Sequence, residues 1–297
     1  MTLFLDCYPC ILRQVLSTAR LAGLEEERVK EVLCETMRRL INASAQDSPQ
    51  HITFAIFEFL RRRFIAGREV FDPYVELKRH SNDAVLAHFD RLEASVIGSR
   101  SPLETALKHA AAGNIIDFGA KDHGSIDIEQ EIEIIPSLRF AHYDFLPLKE
   151  LLSGAGHLLY VGDNAGEIVF DRILIRQIRR QFPDMKVTFA TRGQPIINDV
   201  TIEDALRVGM NTDARVVSSG CVYPGLLLDE AEEGFQELFR SADVIIAKGQ
   251  GNYEGLSGVV DPRLFFILRT KCERVARDIG AEVGALILLR KSADGNQ

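Results

Sequence analysis

Nowhere in the 297-residue chain is there an apolar stretch long enough to cross a membrane, and its first residues carry no basic segment followed by a long apolar run. A cytoplasmic protein with no membrane partner is the expectation. A surface for nucleic acid is missing too: 43 acidic against 35 basic residues give a formal charge of −8, and no long lysine or arginine cluster offsets it. The densest basic run, Arg61-Arg62-Arg63, reads as one solvated helix face. Cysteines are few and scattered (Cys7, Cys10, Cys34, Cys221 and Cys272), an odd number that argues for reduced thiols. Cys7-Tyr8-Pro9-Cys10 has no second pair to complete a four-thiolate zinc site. Three readings stay open for it: a redox pair, a partial metal site completed by Cys272 or a histidine, or two thiols packed at a helix start. Also absent are a Walker-type phosphate loop and a paired Asp-x-Asp after the first strand, so neither a kinase nor an aspartyl-phosphate dehalogenase-type enzyme is supported. What remains is an ordinary globular composition, 46% hydrophobic and 26% charged, with ample length for a core.

Strand alternation is lacking from the first 112 residues, which read as helix after helix. Ile11, Leu12, Val15, Leu16 and Ala19 form one stripe, with Pro9 in the first turn and Gly23 as the stop. A second helix runs from Glu25 to about Leu40 with Val29, Val32, Leu33, Met37 and Leu40 inward. Ser48-Pro49 opens a third, carrying Phe54, Ile56, Phe57, Leu60 and Phe64 as core. Helices are also expected after Asp72-Pro73-Tyr74, over Ser81 to Val96 and over Pro102 to Ala112. Residues 1–112 are therefore read as an N-terminal helical domain.

At Gly113-Asn114-Ile115-Ile116-Asp117-Phe118-Gly119 the character changes to a glycine-bounded loop carrying an amide and a carboxylate. Asp122 to Ile135 reads as an acidic surface excursion. From His157 short apolar strands alternate with helices. The strands are His157–Val161, Lys186–Ala190, Ala214–Val217, Asp243–Ala247 and Leu264–Leu268; the helices are Glu167–Gln181, Val200–Val208 and Asp229–Ser241. That rhythm predicts an α/β domain over 113–297 with a doubly wound, mostly parallel sheet.

Polar clusters follow three of these strands: Asp163-Asn164-Ala165-Gly166-Glu167, with Asp171 one helical turn on; Asn198-Asp199-Val200-Thr201 beyond Thr191-Arg192-Gly193; and Lys248-Gly249-Gln250-Gly251-Asn252-Tyr253-Glu254. Each alone reads equally well as a turn, a helix cap or a solvated charge. Parallel strands bring all three to one edge of the sheet, where open α/β folds bind ligands. The oxygens of Asp163, Asn164 and Asp199 suit a hard octahedral cation such as Mg²⁺ or Mn²⁺, Lys248 would neutralise a transferring phosphoryl group, and Gly249 and Gly251 would let backbone N–H groups approach it. The expected chemistry is phosphoryl transfer or hydrolysis.

Together with Cys7-x-x-Cys10, Asp72-Pro73-Tyr74, Gly113-Asn114-x-x-Asp117-Phe118 and Lys271-Cys272, these clusters resemble the prokaryotic branch of the domain-of-unknown-function 89 family. It comprises metal-dependent damage-control phosphatases and is also described as the acidic-residue methyltransferase 1-like metal-binding domain. The resemblance covers nearly the whole chain. It implies a three-layer α/β/α sandwich with an N-terminal helical part, a divalent metal (Mn²⁺, Co²⁺, Ni²⁺ or Mg²⁺) on Asp163, Asn164 and Asp199, and a small-molecule phosphate ester as substrate. Asp163, Asn164, Glu167 and Lys248 are the expected catalytic residues. Asn114, Asp117, Gly249, Gly251, Asn252, Tyr253, Glu254 and Lys271 are the expected substrate contacts. The eukaryotic branch carries Arg-Thr-x-Lys where this chain has Arg269-Thr270-Lys271, so that branch's sugar-phosphate preference does not transfer. The alternatives are an S-adenosylmethionine-dependent carboxyl methyltransferase, for which Gly162-Asp163-Asn164-Ala165-Gly166 has too few glycines, and a non-enzymatic metal- or ligand-binding module.

Overall fold

The computed structural model of the chain describes residues 1–44, 46–64, 71–113 and 135–291. Asn114, Asp117 and all but the end of the expected acidic excursion lie outside them. The first helices are α1 (Cys7–Leu21), α2 (Glu26–Ile41), α3 (Pro49–Phe64), α4 (Val75–Leu86), α5 (Phe89–Ile97) and α6 (Pro102–Ala112). The helix expected over Ser81–Val96 is broken at Ala87-His88, where neither glycine nor proline announces a turn. Met37, expected inward, is 43% exposed, because Thr36 takes the buried position and returns its hydroxyl to the Val32 carbonyl at 2.8 Å.

The remaining elements are β1 (Phe140–Tyr143), α7 (Phe145–Gly154), β2 (His157–Val161), α8 (Glu167–Gln181), β3 (Lys186–Thr191), α9 (Ile202–Arg207), β4 (Arg215–Ser218), α10 (Glu233–Ser241), β5 (Val244–Lys248), α11 (Gly249–Leu256), β6 (Leu264–Arg269), α12 (Glu273–Ile279) and β7 (Leu286–Arg290). Seven strands make one sheet in the order β1-β7-β6-β5-β2-β3-β4. All neighbours are parallel except β6 and β7. The chain winds from β2 outward through β3 and β4, then returns to β5 on the other side of β2. The crevice between β2 and β5 is thus a topological switch point, where open sheets bind their ligands beyond the carboxyl ends of the strands.

Alternation along β2 divides the interior into two faces. Leu158 and Tyr160 pack with Ile168, Phe170 and Ile173 of α8 and with Leu92, Leu103, Leu107 and Ala110 of α5 and α6. Leu159 and Val161 pack with Phe235 and Phe239 of α10, Leu256 of α11 and Val275 of α12. This is the three-layer sandwich, and each such buried side chain contributes roughly 1.5–3 kcal/mol. The apolar packing of α5 and α6 is shared with the sheet, whereas α1, α2 and α3 hold a cluster of their own around Val15, Val32, Ile56 and Leu60.

These first helices sit over the carboxyl edge of the sheet. His51 meets Tyr223 after β4 edge-on, Phe54 of the same helix α3 packs on that ring at a tilt, and Gln50 reaches Glu254 in α11. Phe57 and Tyr74 pack on Ile196 in the loop after β3. Lys78 of α4, 2% exposed, joins Asp72 and Asp204 at 2.7 Å each, while the same Asp204 oxygen caps α9 through the Thr201 amide and hydroxyl.

Candidate active site

The loop that leaves β2 is pinned by backbone bonds to the loop that leaves β3. The Val200 amide donates to the Asp163 carbonyl at 2.8 Å, the Ala165 amide to the Asn198 carbonyl at 3.0 Å, and Asn164 and Asp199 form an isolated antiparallel bridge. Glycine is required at its start, since a Cβ on Gly162 would lie 2.4 Å from the Phe189 ring. At its end Gly166 takes φ +82° and gives its amide to Asn82 Oδ1 of α4 at 2.7 Å, and α8 begins with Glu167.

Side chains then divide their atoms in a consistent way. Asn164 donates its side-chain amide to Asp163 Oδ2 (2.8 Å) and to Glu167 Oε1 (2.9 Å), while its side-chain Oδ1 accepts no hydrogen bond from the described residues. Asp199 Oδ2 accepts from Arg192 Nε (2.7 Å) and the Gly225 amide (3.0 Å), which leaves Oδ1 uncommitted among the described residues. Asp163, Asn164 and Asp199 are 5%, 8% and 2% exposed. Burial, then the charges of Glu167 and Asp199, push the Asp163 carboxyl well above the usual carboxylate range. Converging, desolvated oxygens around a carboxyl that resists ionisation are what a divalent cation relieves, so this donor set fits a metal. Among the described residues no three acidic, histidine or cysteine side chains make a ready cage. Two carboxylates and an amide instead suit a hard ion that keeps water and substrate among its ligands.

Lys248 closes β5 and is fully buried, its ammonium 3.3 Å from Asp171 Oδ1 and 3.5 Å from Glu167 Oε2. Asp171 Oδ1 also accepts the Tyr160 hydroxyl at 2.7 Å, and burial lifts Asp171 to about 6 despite the lysine. Burial works against the Lys248 charge, yet Asp171 and Glu167 outweigh it and its pKa is raised.

Gly249-Gln250-Gly251, read from sequence as a loop, is the first turn of α11. Its glycines serve close packing: Gly249 has φ +78°, a Cβ there would lie 1.7 Å from Asp163 Oδ2, and one on Gly225 would lie 2.2 Å from the Gly251 carbonyl oxygen. The α11 N-terminus, with its orphan backbone donors, is therefore set directly against Asp163.

The family model described as "Damage-control phosphatase ARMT1-like domain" matches residues 3–287. The chain belongs to this family. Among curated relatives it is 33% identical to a damage-control phosphatase of Pyrococcus horikoshii, over 96% of both chains, and 34% identical to one of Archaeoglobus fulgidus, over 95% of this chain and 96% of that protein. A relative from Methanocaldococcus jannaschii, 34% identical over 96% of this chain and 94% of its own, is named uncharacterized. The crystal structure of a DUF89 family protein from P. horikoshii superposes with a TM-score of 0.86 at 32% identity, covering 98% of this chain and all of that one.

In this ARMT1-like chain the residues expected to touch substrate separate into two groups. Lys271 is exposed after β6, gives its backbone amide to Gln250 Oε1 at 2.7 Å, and its charge lowers the Asp163 pKa, so it stands within electrostatic reach of the site. Glu254 accepts from Gln250 (2.8 Å) and Gln50 (3.3 Å) on the same side. Asn252 instead spends its polar atoms inside the protein, donating to the Lys248 carbonyl (2.6 Å) and the Gly162 carbonyl (3.0 Å) and accepting from Arg192 (2.8 Å). Tyr253 is buried against Phe266 and donates its hydroxyl to Asp278 at 2.7 Å, on the far side of α11. Cys7 and Cys10 are free thiols at the start of α1, and both feel the charges of Glu254 and Cys272. Sequence reasoning gave no role to Arg192. Its only signal there is position, one residue past a buried strand in the cluster that leads to Asp199.

Proposed function

We propose that the protein is a metal-dependent phosphatase of small phosphate esters, with a divalent cation on Asp163, Asn164 and Asp199. The observation that carries this is the burial of Asp163 against Glu167 and Asp199 directly beside the α11 N-terminus, a cation half and an anion half in one crevice. Two curated relatives covering nearly the whole chain bear the name damage-control phosphatase. A cation bound there supplies polarisation of a phosphoryl oxygen and a more acidic bound water. The chain does the rest. Asn164 is aimed by Glu167, and Glu167 is held by Lys248 from beneath. Backbone donors of the first α11 turn and the Lys271 ammonium receive the phosphoryl oxygens. Gly251 and Glu254 are assigned to the substrate as residues of α11, and Asn114 and Asp117 on sequence alone. Oxygen-only ligation favours Mg²⁺ or Mn²⁺, with Co²⁺ and Ni²⁺ as competent substitutes.

A screen of phosphate esters against Mn²⁺, Co²⁺, Ni²⁺ and Mg²⁺, with and without chelator, tests the reading. Hydrolysis abolished by chelator and restored by metal is the expected result. Metal-independent turnover would refute it, and S-adenosylmethionine binding by calorimetry without any hydrolysis would favour methyl transfer.

A further inference from the structure

Arg192 is 2% exposed, rare for an arginine, and its guanidinium lies where the ends of three strands meet. Nε donates to Asp199 Oδ2 at 2.7 Å, and Nη2 donates to Asn252 Oδ1 at 2.8 Å while standing 3.9 Å from Asp163 Oδ1. Asn252 passes the connection on through its amide to the carbonyls of Gly162, after β2, and Lys248, closing β5. A single hydrogen-bonded string therefore spans the ends of β3, β5 and β2. The Arg192 backbone amide also donates to the Val200 carbonyl at 3.0 Å, closing the loop that delivers Asp199. Within that loop Ile197 holds φ +41°, a left-handed backbone that a β-branched residue keeps only when its surroundings impose it.

We propose that Arg192 is a positioning residue with two outputs. It turns Asp199 so that Oδ1 is presented to the cation, and through Asn252 it fixes the cation-binding carboxylates relative to the α11 N-terminus. The second output rests on the phosphatase reading; the first does not. A point charge cannot reproduce this, because the task needs a planar fork that reaches two acceptors at once. If the guanidinium served only as counter-charge to Asp199, lysine at this position would do as well. Nη1 has no partner among the described residues, so structural bonds do not saturate the group.

The test compares wild type, Arg192→Lys and Asn252→Ala, with circular dichroism as the fold check. Mn²⁺ affinity is read by electron paramagnetic resonance, and inorganic phosphate affinity of the Mn²⁺-loaded protein by calorimetry. Outer-sphere partners of metal ligands typically contribute about 10–100-fold to affinity. Arg192→Lys is expected to fold and to lose at least about tenfold in Mn²⁺ affinity. Asn252→Ala is expected to keep Mn²⁺ affinity within about threefold and to lose about tenfold or more in phosphate affinity. Wild-type Mn²⁺ affinity in Arg192→Lys overturns the proposal. Should that variant not fold, unchanged phosphate affinity in Asn252→Ala overturns it. A wild-type protein that takes Mn²⁺ but no phosphate would instead refute the phosphatase reading, with the metal arm still deciding Arg192.

Discussion

Two lysines at the same edge of one sheet meet opposite surroundings. Lys248 closes β5 and lies in a sealed shelf with Glu167, Asp171 and Tyr160; Lys271 stands one residue beyond Thr270 on an exposed rim with Gln250, Glu254 and Cys272. Sequence assigns both to phosphate because both follow apolar strands. What separates them is register: Lys248 is the last residue of β5 and pairs with Ile267 of β6, whereas Lys271 lies two residues beyond the end of β6 at Arg269. The last residue of a buried strand still points into a layer, whereas a residue past the strand is free to turn toward solvent. On the proposed reading the shelf holds the site in shape and the rim receives the phosphate ester.

The largest effect expected is at the floor of the crevice. Asp163→Ala should lose bound metal and at least about a thousandfold in turnover while keeping its fold, checked by metal content, kinetics and circular dichroism. Lys248→Met leaves Glu167 and Asp171 buried without their cation, so it should lower stability by about 3–5 kcal/mol in denaturant titration. Lys271→Met should leave stability within about 0.5 kcal/mol but reduce kcat/KM on the order of 30- to 1000-fold. Equal stability losses in the two variants would dissolve the distinction between shelf and rim.

A smaller effect follows from Asp163 and pH. Its carboxyl holds a proton well above the usual range, and proton and cation compete for the same oxygens. Metal affinity should therefore rise with pH. The sign reverses for cation-free protein, where a raised folded pKa favours the fold at low pH and the benefit fades as pH rises. The gap in Tm between metal-loaded and chelated protein should thus narrow as pH falls from about 8 to about 5. The smallest effect belongs to the rim thiols. Replacing Cys7 and Cys10 with serine should cost about 1 kcal/mol of stability and leave turnover per folded molecule unchanged, measured by thermal melting beside kinetics.

The sequence made legible what depends on period and punctuation. The bounds of β2 and α8 stand as read, because an apolar run, two glycines and a helical stripe mark them. The meeting of Asp163, Asn164 and Asp199 followed from parallel strand ends alone. What stayed hidden depends on direction and packing. β7 runs antiparallel to β6, and hydropathy carries no sign of strand direction. β1 is four residues long and only half-buried, too short for alternation to register, and α12 is a seven-residue helix. Gly249 and Gly251 read as a loop because the reason for them, contact with Asp163 and Gly225, lies in tertiary structure. Asn252 and Tyr253 share a motif with the helix N-terminus, yet helical geometry turns their side chains inward.

Crystals soaked in Mn²⁺ and measured for anomalous scattering test most directly whether one divalent ion sits on Asp163, Asn164 and Asp199. A single strong peak within ligand distance of Asp163, Asn164 Oδ1 and Asp199 Oδ1 is the predicted result. A peak among Cys7, Cys10 and Cys272, with none at Asp163, would contradict it.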